Sequence, residues 1–175
     1  MTRMTILATF LLLAAPALAD EAKLARGKYL VTVAGCNDCH TPWKMGANGP
    51  EPDYSLMLSG HPQANVLPRA PKAQGPWVVS AAATNTAWAG PWGVSYTANL
   101  TPDKETGLGK WTQRNFTETI RTGRHMGRGR PILPPMPIPM YKHFTDADLE
   151  AIFAYLQSIP AIRNKVPEPL PPEGS

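Results

Sequence analysis

Cysteine is nearly missing from this sequence. Only Cys36 and Cys39 occur in 175 residues. A multi-disulfide framework and a four-thiolate zinc site are both excluded. A bridge between the two would close so small a ring that it would add little stability. Long apolar runs are also scarce. Beyond Ala15 no stretch approaches the roughly 20 residues that a membrane-spanning helix needs. Charge of one sign does not dominate: 17 Lys and Arg face 13 Asp and Glu, for a formal +4. No long basic tract accompanies that small excess, so nucleic acid is not an expected partner.

Proline and glycine, by contrast, are abundant, at 20 and 14 residues. The prolines gather at 42–76, 131–139 and 160–172. A small domain with so much irregular backbone often needs an added organiser, such as a metal or a covalent cofactor.

The N-terminus has the order of a secretory signal. Thr2-Arg3 gives a positive start, Met4 to Ala15 is apolar, and Ala17-Leu18-Ala19 forms a small-residue cleavage site. The reading is a signal peptide over 1–19, a single domain over 20–160 and a Pro-rich tail over 161–175. About twelve apolar residues are too few to anchor the chain in a bilayer. The mature protein is thus expected in the periplasm, without a membrane span. Cleavage would remove Arg3, leaving 16 of the 17 basic residues against 13 acidic ones.

The stretch GCNDCHTPWKM, residues 35–45, holds the chemistry. Cys-x-x-Cys-His is the attachment signature of c-type haem. Two residues between the thiols let both sulfurs reach adjacent vinyl groups, and the next residue, His40, then lies under the iron. Zinc is the first competitor. It wants four ligands from well-spaced pairs, and His61, His125 and His143 never fall at the required spacing. A thioredoxin-like disulfide is the second, but it expects the motif to follow a strand and open a helix. Here EAKLARGKYLVTVAG precedes it, with Leu24, Gly27, Tyr29, Leu30 and Val33 at roughly helical spacing. One covalent haem c is the expected cofactor.

The second axial ligand decides between a closed iron that passes electrons and an open one that binds small molecules. Met45 is too near His40 to loop over a haem. Met57 lies in the first Pro-rich stretch. GRPILPPMPIPMYKHF, residues 129–144, is the best source, because its prolines stiffen a loop that can hold a thioether in place. Met136 leads, with Met140, Met126, His125 and His143 as alternatives. A final helix follows. Thr145 is its N-cap, and Asp146 and Asp148 sit in its first turn. Leu149, Ile152, Phe153, Leu156 and Ile159 make one apolar face, and Pro160 ends it.

Together these segments resemble the class I cytochrome c family. They are most similar to the haem domains in cytochrome subunits of bacterial membrane-bound alcohol and gluconate dehydrogenases. The likeness is carried by the haem motif, by GPWGVSYTANLTPDKETGLGKWT from Gly90 to Thr112, and by PMPIPMYKHFTDADLEAIFAYLQSIP from Pro135 to Pro160. It implies a mainly α cytochrome c fold with extended Pro/Gly-rich loops, and it aligns Met136 with the family's methionine ligand. It implies that Pro50, in the Gly49-Pro50 step, offers its carbonyl to the His40 imidazole. It also implies that Trp111 packs near a propionate, and that Gly27 lets the first helix approach Phe153 or Tyr155 of the last. This chain departs from the pattern in having one haem unit, no anchoring tail, and Ile138 in place of a tyrosine.

Two features fall outside the motifs. GPWVVS at 75–80 recurs as GPWGVS at 90–95, which reads as two short strands, a candidate β-hairpin over a haem edge. Trp77, Trp88 and Trp92 accompany it. Arg121, Arg124, Arg128 and Arg130 could dock an acidic partner, pair with a propionate, or form a solvated face. The expected function is a periplasmic mono-haem electron carrier or dehydrogenase subunit, not itself an enzyme. Its partners would be a dehydrogenase and another cytochrome or an oxidase. The alternative is a haem enzyme or gas sensor with an open iron.

Overall fold

The computed structural model describes residues 7–70 and 75–172, with side chains from Leu18 onward. Residues 1–6 of the expected signal and residues 173–175 of the expected tail lie outside the described residues. Helix α1 (Leu7–Val33) packs across the last helix, α5 (Asp146–Ser158). The contact is close because Gly27 has no side chain. A Cβ there would lie 2.0 Å from the Ala151 carbonyl oxygen and 2.7 Å from Tyr155 Cβ. Tyr155 was one of the two expected partners. Phe153 turns instead to Phe116, with ring centroids 5.4 Å apart.

The crossing point also sets which face of α1 is inside. Gly27, Leu30 and Val31 are buried, whereas Tyr29 and Val33, expected on the same face, are exposed. Residues three and four beyond Gly27 share its side of the helix, so the register follows from the glycine. Two ion pairs flank the crossing, Lys23–Glu150 at 2.6 Å and Arg26–Asp148 at 2.9 Å. The first is solvated on both sides and the second only on the arginine side, so each adds modestly to stability.

Helix α5 starts as expected. The Thr145 hydroxyl accepts from the Asp148 N–H at 3.1 Å. Leu149, Ile152 and Leu156 are buried, each stabilising the fold by about 1.5–3 kcal/mol. Between the two lies α3 (Gln113–Thr122), which was not among the expected elements. Its signal is short: Thr112 and Asn115 cap each other reciprocally, and Phe116, Thr119 and Ile120 point inward. The core joins Leu30, Val31, Phe116, Ile120, Leu149, Ile152, Leu156 and Ile159.

Strand content exceeds one hairpin. β1 (Trp43–Gly46) and β2 (Gly49–Pro52) form an antiparallel pair just after the motif. β3 (Ser80–Ala81), β4 (Ala87–Gly90) and β5 (Gly93–Tyr96) form a three-stranded antiparallel sheet in that order. The repeated hexapeptides do not pair with each other. The second copy supplies the β4–β5 turn, since Pro91 and Trp92 link the partners Gly90 and Gly93. The last residue of the first copy, Ser80, begins β3 and pairs with Ala89.

Gly27→Ala tests the crossing. Helix propensity favours alanine by up to about 1 kcal/mol, but overpacking costs about 1–3 kcal/mol. We expect net destabilisation in chemical denaturation. A second prediction concerns acid. The Arg26 guanidinium, followed by the Thr145 hydroxyl, holds the Asp148 carboxyl below its ordinary 3.8. That contribution is fully present above 3.8 and is lost as pH falls through the lowered value. Asp148→Asn should flatten the acid limb of the stability–pH curve.

Candidate haem site

Gly35 is left-handed, with φ 71°, and turns the chain from α1 into α2 (Cys36–His40), a single helical turn. This geometry aims Cys36, Cys39 and His40 into one cavity of about 740 Å³. A volume of that order accommodates a cofactor-sized ligand. Its walls are mainly apolar: Leu108, Phe116 and Ile120 on one side, and Leu149, Ile152 and Leu156 of α5 behind.

His40 is held through its ring and its backbone. Its Nδ1–H donates to the Ala98 carbonyl at 2.7 Å, and the Gly60 N–H donates to the His40 carbonyl at 2.8 Å. The Ala98 bond assigns the proton to Nδ1 and leaves Nε2 with its lone pair. Burial lowers the imidazole's pKa, and the Ala98 bond offsets this only partly, so the ring is neutral. The expected carbonyl was that of Pro50, and the structure corrects this. Residues 49–52 are drawn into β2, where Pro50 stands opposite Met45 on an exposed hairpin. Ala98 takes the role because the chain leaving β5 runs along the cavity, with Ser95 to Leu100 all lining it.

The thiols are not poised for redox exchange. Burial pushes Cys36 up to about 12, and burial likewise raises Cys39. Reactive cysteines need the opposite shift. Among the described residues, no three His, Cys, Asp or Glu side chains gather to enclose a bare metal ion.

Met136 lines the same cavity, between Pro135 and Pro137. Its loop is fixed at one end by the Ser95 hydroxyl, which donates to the Pro134 carbonyl at 2.6 Å. At the other, α4 (Ile138–Tyr141) begins directly after Pro137. Met140 projects from α4 and is 72% exposed, and Met45 is 77% exposed. Met126 and His143 are exposed and do not line the cavity; His125 does. Trp111 is part of the wall and meets the His125 ring edge-on, with centroids 5.1 Å apart. Trp77, Trp88 and Trp92 are not in this wall; Trp77 is exposed, and Trp88 faces a separate groove beside the three-stranded sheet.

The arginine cluster is mostly occupied. Arg121 donates to the Lys142 carbonyl and to Asp146, and Arg124 to the Gly129 carbonyl. Arg130 alone of the four lines the cavity, paired with Glu168 at 3.3 Å. Sequence reasoning missed Tyr141, whose hydroxyl donates to the Ala34 carbonyl beside the motif. Burial pushes that phenol up to about 12. It also missed residues 165–169, which line the cavity although they belong to the tail.

Two half-buried thiols, a neutral imidazole with a free lone pair and a thioether thus share one apolar cavity with cationic residues at its margin. That donor set fits a haem held through both sulfurs. The profile of the family described as Cytochrome c matches residues 24–160, and the chain belongs to that family. It is similar to the cytochrome c subunit of a quinone-type alcohol dehydrogenase from Gluconobacter oxydans (strain 621H), 29% identical over 153 residues. That match covers 86% of this chain and 25% of the relative. The gluconate 2-dehydrogenase cytochrome c subunit of Pantoea cypripedii is 31% identical over 137 residues, 78% of this chain and 23% of the relative. The fructose dehydrogenase cytochrome subunit of Gluconobacter japonicus is 28% identical over 143 residues, 82% of this chain and 22% of the relative. The chain spans a quarter or less of the length of each of these relatives.

Gly60 gives a test of the histidine's support. It has φ 78°, and a Cβ would lie 2.4 Å from the Thr97 carbonyl oxygen and 2.7 Å from that of Ala98. Gly60→Ala should cost about 1–3 kcal/mol. It should also disturb His40, visible as a changed axial-imidazole signature in the proton NMR spectrum of the haem-loaded protein.

Proposed function

We propose that this chain is a periplasmic mono-haem electron-transfer protein. It serves a dehydrogenase, either as a soluble carrier or as a subunit, and passes electrons to another cytochrome or an oxidase. The observation that carries the reading is the shared cavity: Cys36, Cys39 and His40 on one wall and Met136 on another, while Met140 and Met45 face solvent. The names of the relatives, which are cytochrome subunits of dehydrogenases, support the choice of partner.

The haem supplies a one-electron couple at its iron. Each protein group has a separate task. Cys36 and Cys39 would tether the haem covalently, and His40 Nε2 and Met136 Sδ would ligate its iron. Ala98 keeps the imidazole in one tautomer and one orientation, so little reorganises on transfer. The apolar walls exclude water and disfavour the more highly charged oxidised state, which raises the potential. Lys165 lines the cavity and would be available to the carboxylates of the propionates. Export with cleavage after Ala19 would leave Lys23, Arg26 and Gly27, and hence the α1–α5 crossing, in place.

Methionine replacement tests the ligand. The oxidised haem-loaded protein should show the near-infrared sulfur-to-iron charge-transfer band. Met136→Ala should abolish it and open the reduced iron to carbon monoxide. Met140→Ala should leave both unchanged. A wild-type protein without the band, binding carbon monoxide readily, would instead be an open-site enzyme or sensor.

A further inference from the structure

Among the described residues, the segment after α5 has no helix or strand of its own, yet it is tied down at several points. Asn164 is the centre of this. It is 8% exposed, and its side chain meets the loop over Ser59–Gln63 on both polar groups. Its Nδ2 donates to the Ser59 and His61 carbonyls at 2.7 and 2.9 Å, and its Oδ1 accepts from the Gln63 N–H at 2.8 Å. The Asn164 N–H donates to the Thr106 hydroxyl at 3.0 Å. Just before it, the Ile162 carbonyl accepts from Asn99 Nδ2 at 2.8 Å, and the Ile162 N–H donates to the Thr101 hydroxyl at 3.1 Å. Further on, Glu168 meets Arg130. Leu170 and Val94 then exchange two backbone hydrogen bonds of 2.9 Å each, extending the edge of β5.

Between these two attachments, Lys165 to Pro169 form part of the cavity wall. The segment thus crosses from the loop bearing Thr106 to the edge of β5 and closes the space between them. It also lies beyond residue 160, where the match to the family profile ends.

We propose that residues 161–172 are a strap that shields one edge of the haem from water and thereby raises its reduction potential, with Asn164 as the positioning residue that pins it. The inference rests on the haem-carrier reading given above. Its physics is the cost of charge in an apolar site: the oxidised centre carries one more positive charge, and water admitted to the cavity stabilises it. Opening the strap carries Lys165 and Glu168 away together, so their opposite charges largely cancel and the admitted water sets the direction: the potential falls.

Two variants loosen the strap at different points. Asn164→Ala removes the three side-chain bonds of the pin. Leu170→Pro removes the N–H that donates to Val94, at a residue outside the haem cavity wall. Because Asn164 also supports the loop whose Gly60 N–H holds His40, the Leu170 variant separates the strap's effect from any effect on the histidine. It also carries the test if the Asn164 variant does not fold. The measurements, made on haem-loaded protein, are the midpoint potential and amide hydrogen exchange across 161–172. The expected result is faster exchange in the strap and a one-electron equilibrium moved about tenfold toward the oxidised form, or about 59 mV. The charge-transfer band should be retained. Faster exchange with an unchanged midpoint overturns the proposal alone. A protein that never acquires covalent haem overturns the carrier reading and this one together.

Discussion

The close approach of two backbones at Gly27 and Ala151 is the constraint on which the rest of this structure depends. It brings α1 against α5 with no side chain between them. The end of α1 then feeds directly into the one-turn helix bearing Cys36, Cys39 and His40, while α5 supplies Leu149, Ile152 and Leu156 to the wall behind. If the helices stood farther apart, the motif and the wall would no longer face the same space. The ion pairs beside the glycine are at least partly solvated and add little to holding the crossing. What holds it is the burial of Leu30, Val31, Leu149, Ile152 and Leu156.

The remaining cavity walls come from loops, and loops need explicit fastening. A backbone hydrogen-bonded neither in a helix nor in a sheet must find partners elsewhere. Here those partners are side chains of modest size. Thr41 receives the Leu58 N–H, Asn99 and Thr101 meet Ile162, Ser95 reaches Pro134, and Asn164 ties the tail to the loop at 59–63. Thr41, Thr101 and Asn164 are buried for this reason, and each of them is satisfied. His61 belongs with them rather than with any metal. Its two ring nitrogens meet the Thr86 hydroxyl and the Asn65 carbonyl, and burial keeps it neutral.

This division explains where sequence reasoning succeeded and where it did not. The motif, the last helix with its Thr145 cap and the stiff proline-flanked loop around Met136 were all readable, because each depends on spacing within a short segment. The face of α1 was only half readable. Periodicity grouped Tyr29 and Val33 with Leu30, but the crossing at Gly27 selected Val31 instead. Helix α3 escaped because its cap and three inward residues make a weak pattern in ten residues. The repeated hexapeptide suggested that its two copies would pair. Its second copy became a turn, since Gly93 at φ 94° suits the end of a tight connection better than the middle of a strand.

By itself the sequence marked where the candidate chemistry would lie. A Cys-x-x-Cys-His step after a helix admits few occupants, and proline-locked thioethers are few enough to rank. Only the tertiary structure decided which groups support that chemistry. The carbonyl on His40 comes from Ala98, fifty-eight residues away in the chain, rather than from nearby Pro50. One edge of the cavity is lined by the Pro-rich tail. Backbone carbonyls and hydroxyls carry no distinctive letter in a sequence, so contacts made by them across long separations become visible only once the chain has folded.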